Sequence, residues 1–282
     1  MNQLRGTDLH SHLIPGVDDG SAGEAFSAGA LEYFRREGVG QIVTTPHFMG
    51  SLTRDPVQLA ERLAELDAGW AVLQRLVRED AERAGTPLRV ERGAEVMLDV
   101  PDPDVSDARL RLAGGPYVLV EFPGLHVPPI NAEFALVALR ERGWRAVVAH
   151  PERYRNLDSG LTTIARFKQA GAVLQMNAGS LLGGYGTTAA GQARRLLALG
   201  WIDFVSSDYH ARGEPGVAAF AAALVSLGAS EHAELLTVVN PARVLAGELP
   251  LPVPPMDAVG GDAQEARPLW SRLFGKRRGG SR

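Results

Sequence analysis

Two histidines two residues apart, His10 and His12, lie in the stretch DLHSHLIPGVDDGS that runs from Asp8 to Ser21. Residues two apart on a strand point to the same side, so both imidazoles can reach one metal ion. Asp8 precedes the pair, and Asp18 and Asp19 follow it. A His-x-His pair alone is a weak signal, and the rest of the chain has to supply its partners.

Further donors of the same kind recur along the sequence: His47 in TTPHF, Glu95 in RGAEV, Glu121 in VLVEFP, His150 in VVAHPERY, and Asp208 with His210 in SSDYH. Taken singly, each is as readily a packed histidine or a carboxylate paired with arginine. Together they place five of the seven histidines, with three or more carboxylates, at the ends of short apolar runs. Imidazoles and carboxylates without thiolates suit manganese, iron, zinc or magnesium. Nine donors exceed the needs of one ion, so two or three ions about 3.5–4 Å apart are expected, an arrangement that commonly hydrolyses phosphate esters.

The elements that must position these donors follow from periodicity. Runs rich in Val and Ile over 3–9, 40–45, 88–94, 117–122, 144–149, 172–177 and 201–206 alternate with longer amphipathic stretches, which predicts parallel β/α units. Helices are expected in each gap. The first opens on an apparent capping box, Ser21 with Glu24, and closes at Gly38; the next runs from Asp55-Pro56 to Gly85. Later helices are expected to stop at Gly143, Gly171 and Gly200. A distorted, closed seven-stranded β/α barrel over residues 1–248 fits best, because its strand ends share one mouth where scattered donors converge. A doubly wound open sheet is disfavoured by the lack of a Gly-x-Gly-x-x-Gly turn after the first strand.

Composition narrows the function further. With 33 acidic and 29 basic residues the net charge is −4, which argues against a nucleic-acid partner. The absence of cysteine excludes disulfides and every thiolate nucleophile. No run approaches the roughly 18 apolar residues of a membrane span, nor does the N-terminus carry a signal-like run, so a cytoplasmic protein is expected. From residue 249 the Pro- and Gly-rich sequence reads as a disordered tail. Its end, with Trp270, Leu273 and Phe274 among basic residues, suits weak contact with an anionic membrane, although a solvated terminus is the plainer reading.

DLHSHLIPGVDDGS, TTPHF, RGAEV, VLVEFP, VVAHPERY and SSDYH resemble the motifs of the polymerase and histidinol phosphatase (PHP) superfamily. The closer resemblance is to the manganese-dependent tyrosine phosphatases of bacterial capsule and exopolysaccharide loci, and it runs in order from residue 8 to residue 210. It implies a metal-dependent hydrolase of phosphotyrosine whose substrate is a bacterial tyrosine kinase. By position, His10, His12, Glu95 and Asp208 would hold one ion. Glu95 would bridge to a second, held also by Glu121 and His150, while Asp19, His47 and His210 would hold a third. Asp19 rather than Asp18 is the expected ligand.

Arg153 matches the family arginine that grips the phosphoryl group. A second family arginine, usually in an Arg-Pro-Pro stretch, is missing; the chain reads HARGEPG, which leaves Arg212 as the candidate replacement. The implied reaction is direct in-line attack of activated water on phosphorus, without a phosphoenzyme. FPGLHVPP and SLLGGYGTT are candidate rims, and the oligomeric state stays open. Rival readings are a small-molecule phosphomonoesterase of the histidinol phosphatase type and a non-catalytic metal-binding docking module. His126 and His232 read as ordinary surface residues.

Overall fold

The computed structural model describes residues 6–128, 130–212 and 216–257. Its strands are all paired in parallel: β1 (Gly6–Asp8), β2 (Val39–Thr44), β3 (His47–Met49), β4 (Arg89–Arg92), β5 (Glu95–Met97), β6 (Tyr117–Glu121), β7 (Arg145–Ala149), β8 (Val173–Asn177) and β9 (Phe204–Ser206). They form two sheets, β1-β2-β4 and β3-β5-β6-β7-β8-β9. The chain passes from β2 to β3 through Thr45-Pro46 and from β4 to β5 through Gly93-Ala94, so these nine segments follow seven strand paths. Proline lacks a ladder donor and glycine weakens a strand, which accounts for the two breaks. Hydrogen bonds still cross them: Gly93 N donates to Thr44 O (2.9 Å) and Glu95 N to Pro46 O (3.0 Å).

The first and last strands meet through a mixed seam. Ser11 bridges to Tyr209, Asp208 N donates to His10 O (2.8 Å) and His12 N donates to Tyr209 O (2.8 Å). Side chains complete it, since Ser206 Oγ accepts from Leu9 N (3.0 Å) and Asp8 Oδ2 accepts from Ser207 N (2.8 Å). The result is a distorted seven-path β/α barrel.

Alternation along each strand splits the apolar residues between two cores. Leu9, Val43, Tyr117, Leu119, Val147, Ala149, Val173 and Phe204 fill the barrel, with Leu112 and Val244 at its base. Val118, Val120, Val148, Leu174, Met176 and Val205 face outward onto the helices. These are α1 (Glu24–Arg36), α2 (Pro56–Ala84), α3 (Ala132–Glu141), α4 (Thr162–Gln169), α5 (Ala178–Leu181), α6 (Gly186–Ala198), α7 (Val217–Ser226), α8 (Ser230–Glu234) and α9 (Asn240–Leu245). None of the described helices is long and apolar enough to cross a membrane.

Three expectations change. The gap between β5 and β6 holds two 3-10 turns, Ala108–Leu110 and Leu112–Gly114, rather than an α-helix, because Pro101 and Pro103 break helical hydrogen bonding there. The capping box does not form. Gly23 is the N-cap of α1, and Ser21 Oγ instead bonds Gly23 O (3.0 Å) and Ser27 Oγ (2.7 Å). By contrast, Asp55 does cap α2, accepting from Val57 N (2.9 Å) and Gln58 N (3.2 Å), and Gly85 ends it in the left-handed conformation.

The third change concerns the end of the fold. Residues 249–257, expected to leave the domain, lie along it with Val253 and Met256 buried. Asn240 fixes them: its Oδ1 accepts from Leu251 N (2.8 Å) and its Nδ2 donates to Leu251 O (2.9 Å). His232, read as a surface residue, contacts Pro254 O through Nε2 (3.1 Å). Proline-rich chain needs few internal hydrogen bonds, so a few anchors suffice to dock it. The tail from 258 onward, including Trp270, Leu273 and Phe274, falls outside the described residues. Truncation after Glu248 should therefore destabilise the metal-free protein by about 3–5 kcal/mol relative to truncation after Asp257, from two lost apolar burials and an Asn240 Oδ1 left without its donor. Urea unfolding of the two truncations measures this difference, and equal midpoints would refute it.

Candidate metal centre

Strand register brings the donors together. His47 on β3 lies opposite Glu95 on β5, and the β1 to β9 seam sets His10 and His12 against Asp208. His10 Nε2 is 3.3 Å from Glu95 Oε2 and 3.2 Å from Asp208 Oδ1; His12 Nε2 is 3.5 and 3.4 Å from the same atoms. His47 Nδ1 lies 3.1 Å from Glu95 Oε2 and 3.5 Å from Glu121 Oε1. His150 Nε2 is 3.0 Å from Glu95 Oε1 and 3.9 Å from Glu121 Oε2. At the outer edge, Asp19 Oδ1 is 3.3 Å from His47 Nε2 and 3.4 Å from His210 Nε2.

Spacings near 3.3 Å between donors of this kind match atoms sharing an ion at about 2.0–2.2 Å. Glu95 Oε2 and His47 Nδ1 are buried with no hydrogen-bond partner, although each has other donors or acceptors close by. Buried polar atoms are nearly always satisfied, so orphans at the centre of a nitrogen and oxygen cluster fit a metal set. All nine expected ligands are brought into this one region.

The residues behind the donors fix their orientation. His10 Nδ1 hydrogen-bonds Gln175 Oε1 (2.9 Å), leaving Nε2 to face Glu95 and Asp208. Gln175 Nε2 donates to Asn177 Oδ1 (3.0 Å), and Asn177 Nδ2 to Asp208 Oδ2 (2.6 Å). Asp18 Oδ2 receives His12 Nδ1 (2.8 Å) and His47 N (3.1 Å), so Asp18 orients histidines while Asp19 faces the cluster. Gly20 is required by close approach, since a Cβ there would come within 2.3 Å of His12 Cβ.

Each residue of HPERY has a place. His150 takes a left-handed backbone (φ 35°) before Pro151. Glu152 Oε1 accepts from Asn177 N (3.0 Å) and Ser180 Oγ (2.7 Å), tying this turn to the start of α5. Arg153 Nη1 donates to Asp208 Oδ2 (2.7 Å), and its guanidinium lies 4.2 Å from the Tyr185 ring centroid. Tyr154 Oη accepts from Phe122 N (3.2 Å), fixing the end of β6 beside Glu121.

Arg153, Tyr185, Asp208, His210 and Arg212 line a cleft of about 520 Å³. Arg212 donates to Asp19 O, at the rim rather than among the donors. Of the two candidate rims, SLLGGYGTT lines this cleft through Gly184 and Tyr185. His126 is exposed and bonds Gly124 O within its own turn. Gln175, Asn177 and Asp18 were not singled out for orienting roles by sequence. Gln175 and Asn177 carry a visible signal, as polar residues on the inward phase of the strand VLQMN.

Electrostatics follow from burial and crowding. Burial opposes a charged His10, but the Glu95 and Asp208 carboxylates outweigh it and raise the imidazole to about 9. His12 is also raised, through Asp18 and Asp208, against burial. Burial alone would raise Glu95, yet His10, His150 and His47 hold it well below the usual range. Burial, with the Glu95 charge, pushes Glu121 up to about 7.

In the metal-free protein, stability from charged His10 is fully present below its ordinary value of 6.5 and fades as pH rises through about 9. An incoming ion must displace those protons, so metal affinity should rise from pH 6 to pH 9 with proton release. Calorimetry in buffers of different ionisation enthalpy reads both quantities; a flat affinity would contradict the assignment. Asp18→Ala, which frees His12, should weaken metal binding about 10- to 100-fold in the same titration.

Comparisons with known proteins agree with this geometry. Residues 6–246 match the family model for capsular polysaccharide synthesis, CpsB/CapC. Tyrosine-protein phosphatase YwqE of Bacillus subtilis is 32% identical over 206 residues, covering 72% of this chain and 76% of that protein. Tyrosine-protein phosphatase CpsB of Streptococcus pneumoniae is 30% identical over 179 residues, covering 60% and 66%. A crystal structure from work on YwqE and CpsB, described there as unique metal-dependent tyrosine phosphatases, superposes with a TM-score of 0.68 at 27% identity, over 89% of this chain and 99% of that one. The chain belongs to the CpsB/CapC family of capsular polysaccharide synthesis.

Proposed function

We propose that this protein is a metal-dependent protein-tyrosine phosphatase, a hydrolase of phosphoric monoesters. The observation that carries the reading is the meeting of nine nitrogen and oxygen donors at one barrel mouth, with an arginine hydrogen-bonded at their edge. Family membership and the names of the relatives support phosphotyrosine as substrate. His10, His12, Asp19, His47, Glu95, Glu121, His150, Asp208 and His210 would hold two or three divalent ions; an imidazole and carboxylate set without thiolates accepts manganese, iron, zinc or magnesium, and the family resemblance implies manganese. Such ions, when bound, make water nucleophilic near neutral pH and neutralise phosphoryl oxygens.

The chain's own residues supply the rest. Arg153 faces the phosphoryl group with a planar donor fork suited to two of its oxygens, braced by Asp208 and the Tyr185 ring. Arg212, on the same cleft, is a second cation for that group. The nearly inaccessible floor limits water to the mouth side. A phenolate leaving group, with pKa about 10, departs without the strong acid that an alkoxide demands. The carrier of the phosphotyrosine is a bacterial tyrosine kinase controlling capsule or exopolysaccharide synthesis, met in the cytoplasm.

Hydrolysis of a phosphotyrosyl peptide tests this directly. Chelation should abolish turnover and added manganese restore it. Arg153→Ala should lower kcat/KM about 10²- to 10³-fold with metal content unchanged. Faster turnover of a small alkyl phosphomonoester such as histidinol phosphate than of the peptide would sink the substrate assignment.

A further inference from the structure

Beside the metal donors, a second cleft of about 650 Å³ is lined by Val17, Phe48, Met49, Leu52, Met97 and Arg62, and it reaches Asp19, His47 and Glu121. Its position follows from strand register. Met49 on β3 pairs with Met97 on β5, and Met97 pairs with Glu121 on β6. Met49 and Met97 stand two residues beyond His47 and Glu95, so the face that carries the donors continues into two methionines. The step is one pleat repeat, about 7 Å, equal to the advance of two residues of extended peptide.

Met49 is 50% exposed, in contrast to the buried Phe48 beside it. Met49 does not stand alone: partly exposed Val17, Leu52 and Met97 line the same cleft, and contiguous apolar surface of this kind marks an interaction site. Arg62 closes the end of the cleft with its charge already engaged, by His47 O (2.9 Å) and Glu65. The lining therefore offers dispersion contacts and little for a second anion. Two methionines make it adaptable in shape, suited to several aliphatic or aromatic side chains.

We infer that this cleft binds an apolar side chain lying within two residues of the phosphotyrosine, and so selects the sequence that the enzyme dephosphorylates. The inference rests on the proposed phosphatase reading. Its occupant belongs to the substrate polypeptide because the cleft opens directly onto His47 and Glu121, within the reach of a chain whose phosphoryl group sits at the donors.

The test uses phosphotyrosyl pentapeptides carrying Leu, Gly or Asp at each of the two positions on either side, with p-nitrophenyl phosphate as a substrate that lacks flanks. At one position, Leu should exceed Asp by about tenfold or more in kcat/KM. Met49→Asp should cut that preference to about threefold or less, while p-nitrophenyl phosphate turnover changes less than about threefold and Met49→Leu keeps the preference. No preference at any position, or one that survives Met49→Asp, overturns the inference. If the wild type hydrolyses neither substrate, the phosphatase reading fails instead. Binding of the same peptides by fluorescence polarisation then decides the cleft, with equal binding of Leu and Asp peptides counting against it.

Discussion

One carboxylate oxygen, Glu95 Oε2, organises the molecule. It is buried, lies within 3.5 Å of nitrogens from His10, His12 and His47, and makes no hydrogen bond. An unpaired ionised carboxylate in a protein interior is costly, and removing its partners would leave that cost uncompensated. Three strand ends must therefore arrive around Glu95 together, or its side chain must escape to water. That demand ties local chemistry to barrel closure, because two of the three histidines belong to the first strand path and Glu95 to the third. Asp208, which shares His10 and His12 with Glu95, comes from the last.

Closure itself depends on polar atoms. Where β1 meets β9, Asp8 and Ser206 side chains replace part of the backbone ladder, and Asp208 and His10 are joined by their main chains before their side chains meet. Two of the donors sit in left-handed backbone, His150 at φ 35° and Asp208 at φ 53°. Non-glycine residues there carry a cost of about 1–3 kcal/mol each, and such strain persists only where surrounding contacts over-determine it. Pro151 and Glu152 do so for His150; Arg153 and Asn177 do so for Asp208.

All the donors but Asp19 were legible in the sequence because they end or closely follow apolar runs, and the ends of parallel strands share one mouth. The orienting residues were less so. Asp18 and Asp19 are chemically identical and adjacent, so the choice of ligand rested on family resemblance, and only the fold shows Asp18 turned toward His12 and His47. Ser21 and Glu24 had the spacing of a cap, yet Ser21 is drawn toward Ser27 and Gly23 by the turn that also brings Gly20 under His12. Residues 249–257 looked unstructured by composition alone. Among what holds them is a buried amide, Asn240, whose role depends on a neighbour eleven positions away.

Chemistry and selection occupy different parts of this fold. The floor is made of strand ends: His10, His12, Glu95, His150 and Asp208 are all nearly inaccessible, and each is held by at least two elements. The rim beyond the donors is made of turns and exposed tips, with Met49 half exposed. Substitution in the floor removes a partner from a buried charge and is felt by every donor. Substitution in the rim changes only which surface a substrate meets, since loops tolerate change where buried charge networks do not. The constraint on the floor is electrostatic and shared by all its members, whereas the rim, open to solvent, carries no buried charge network to hold it.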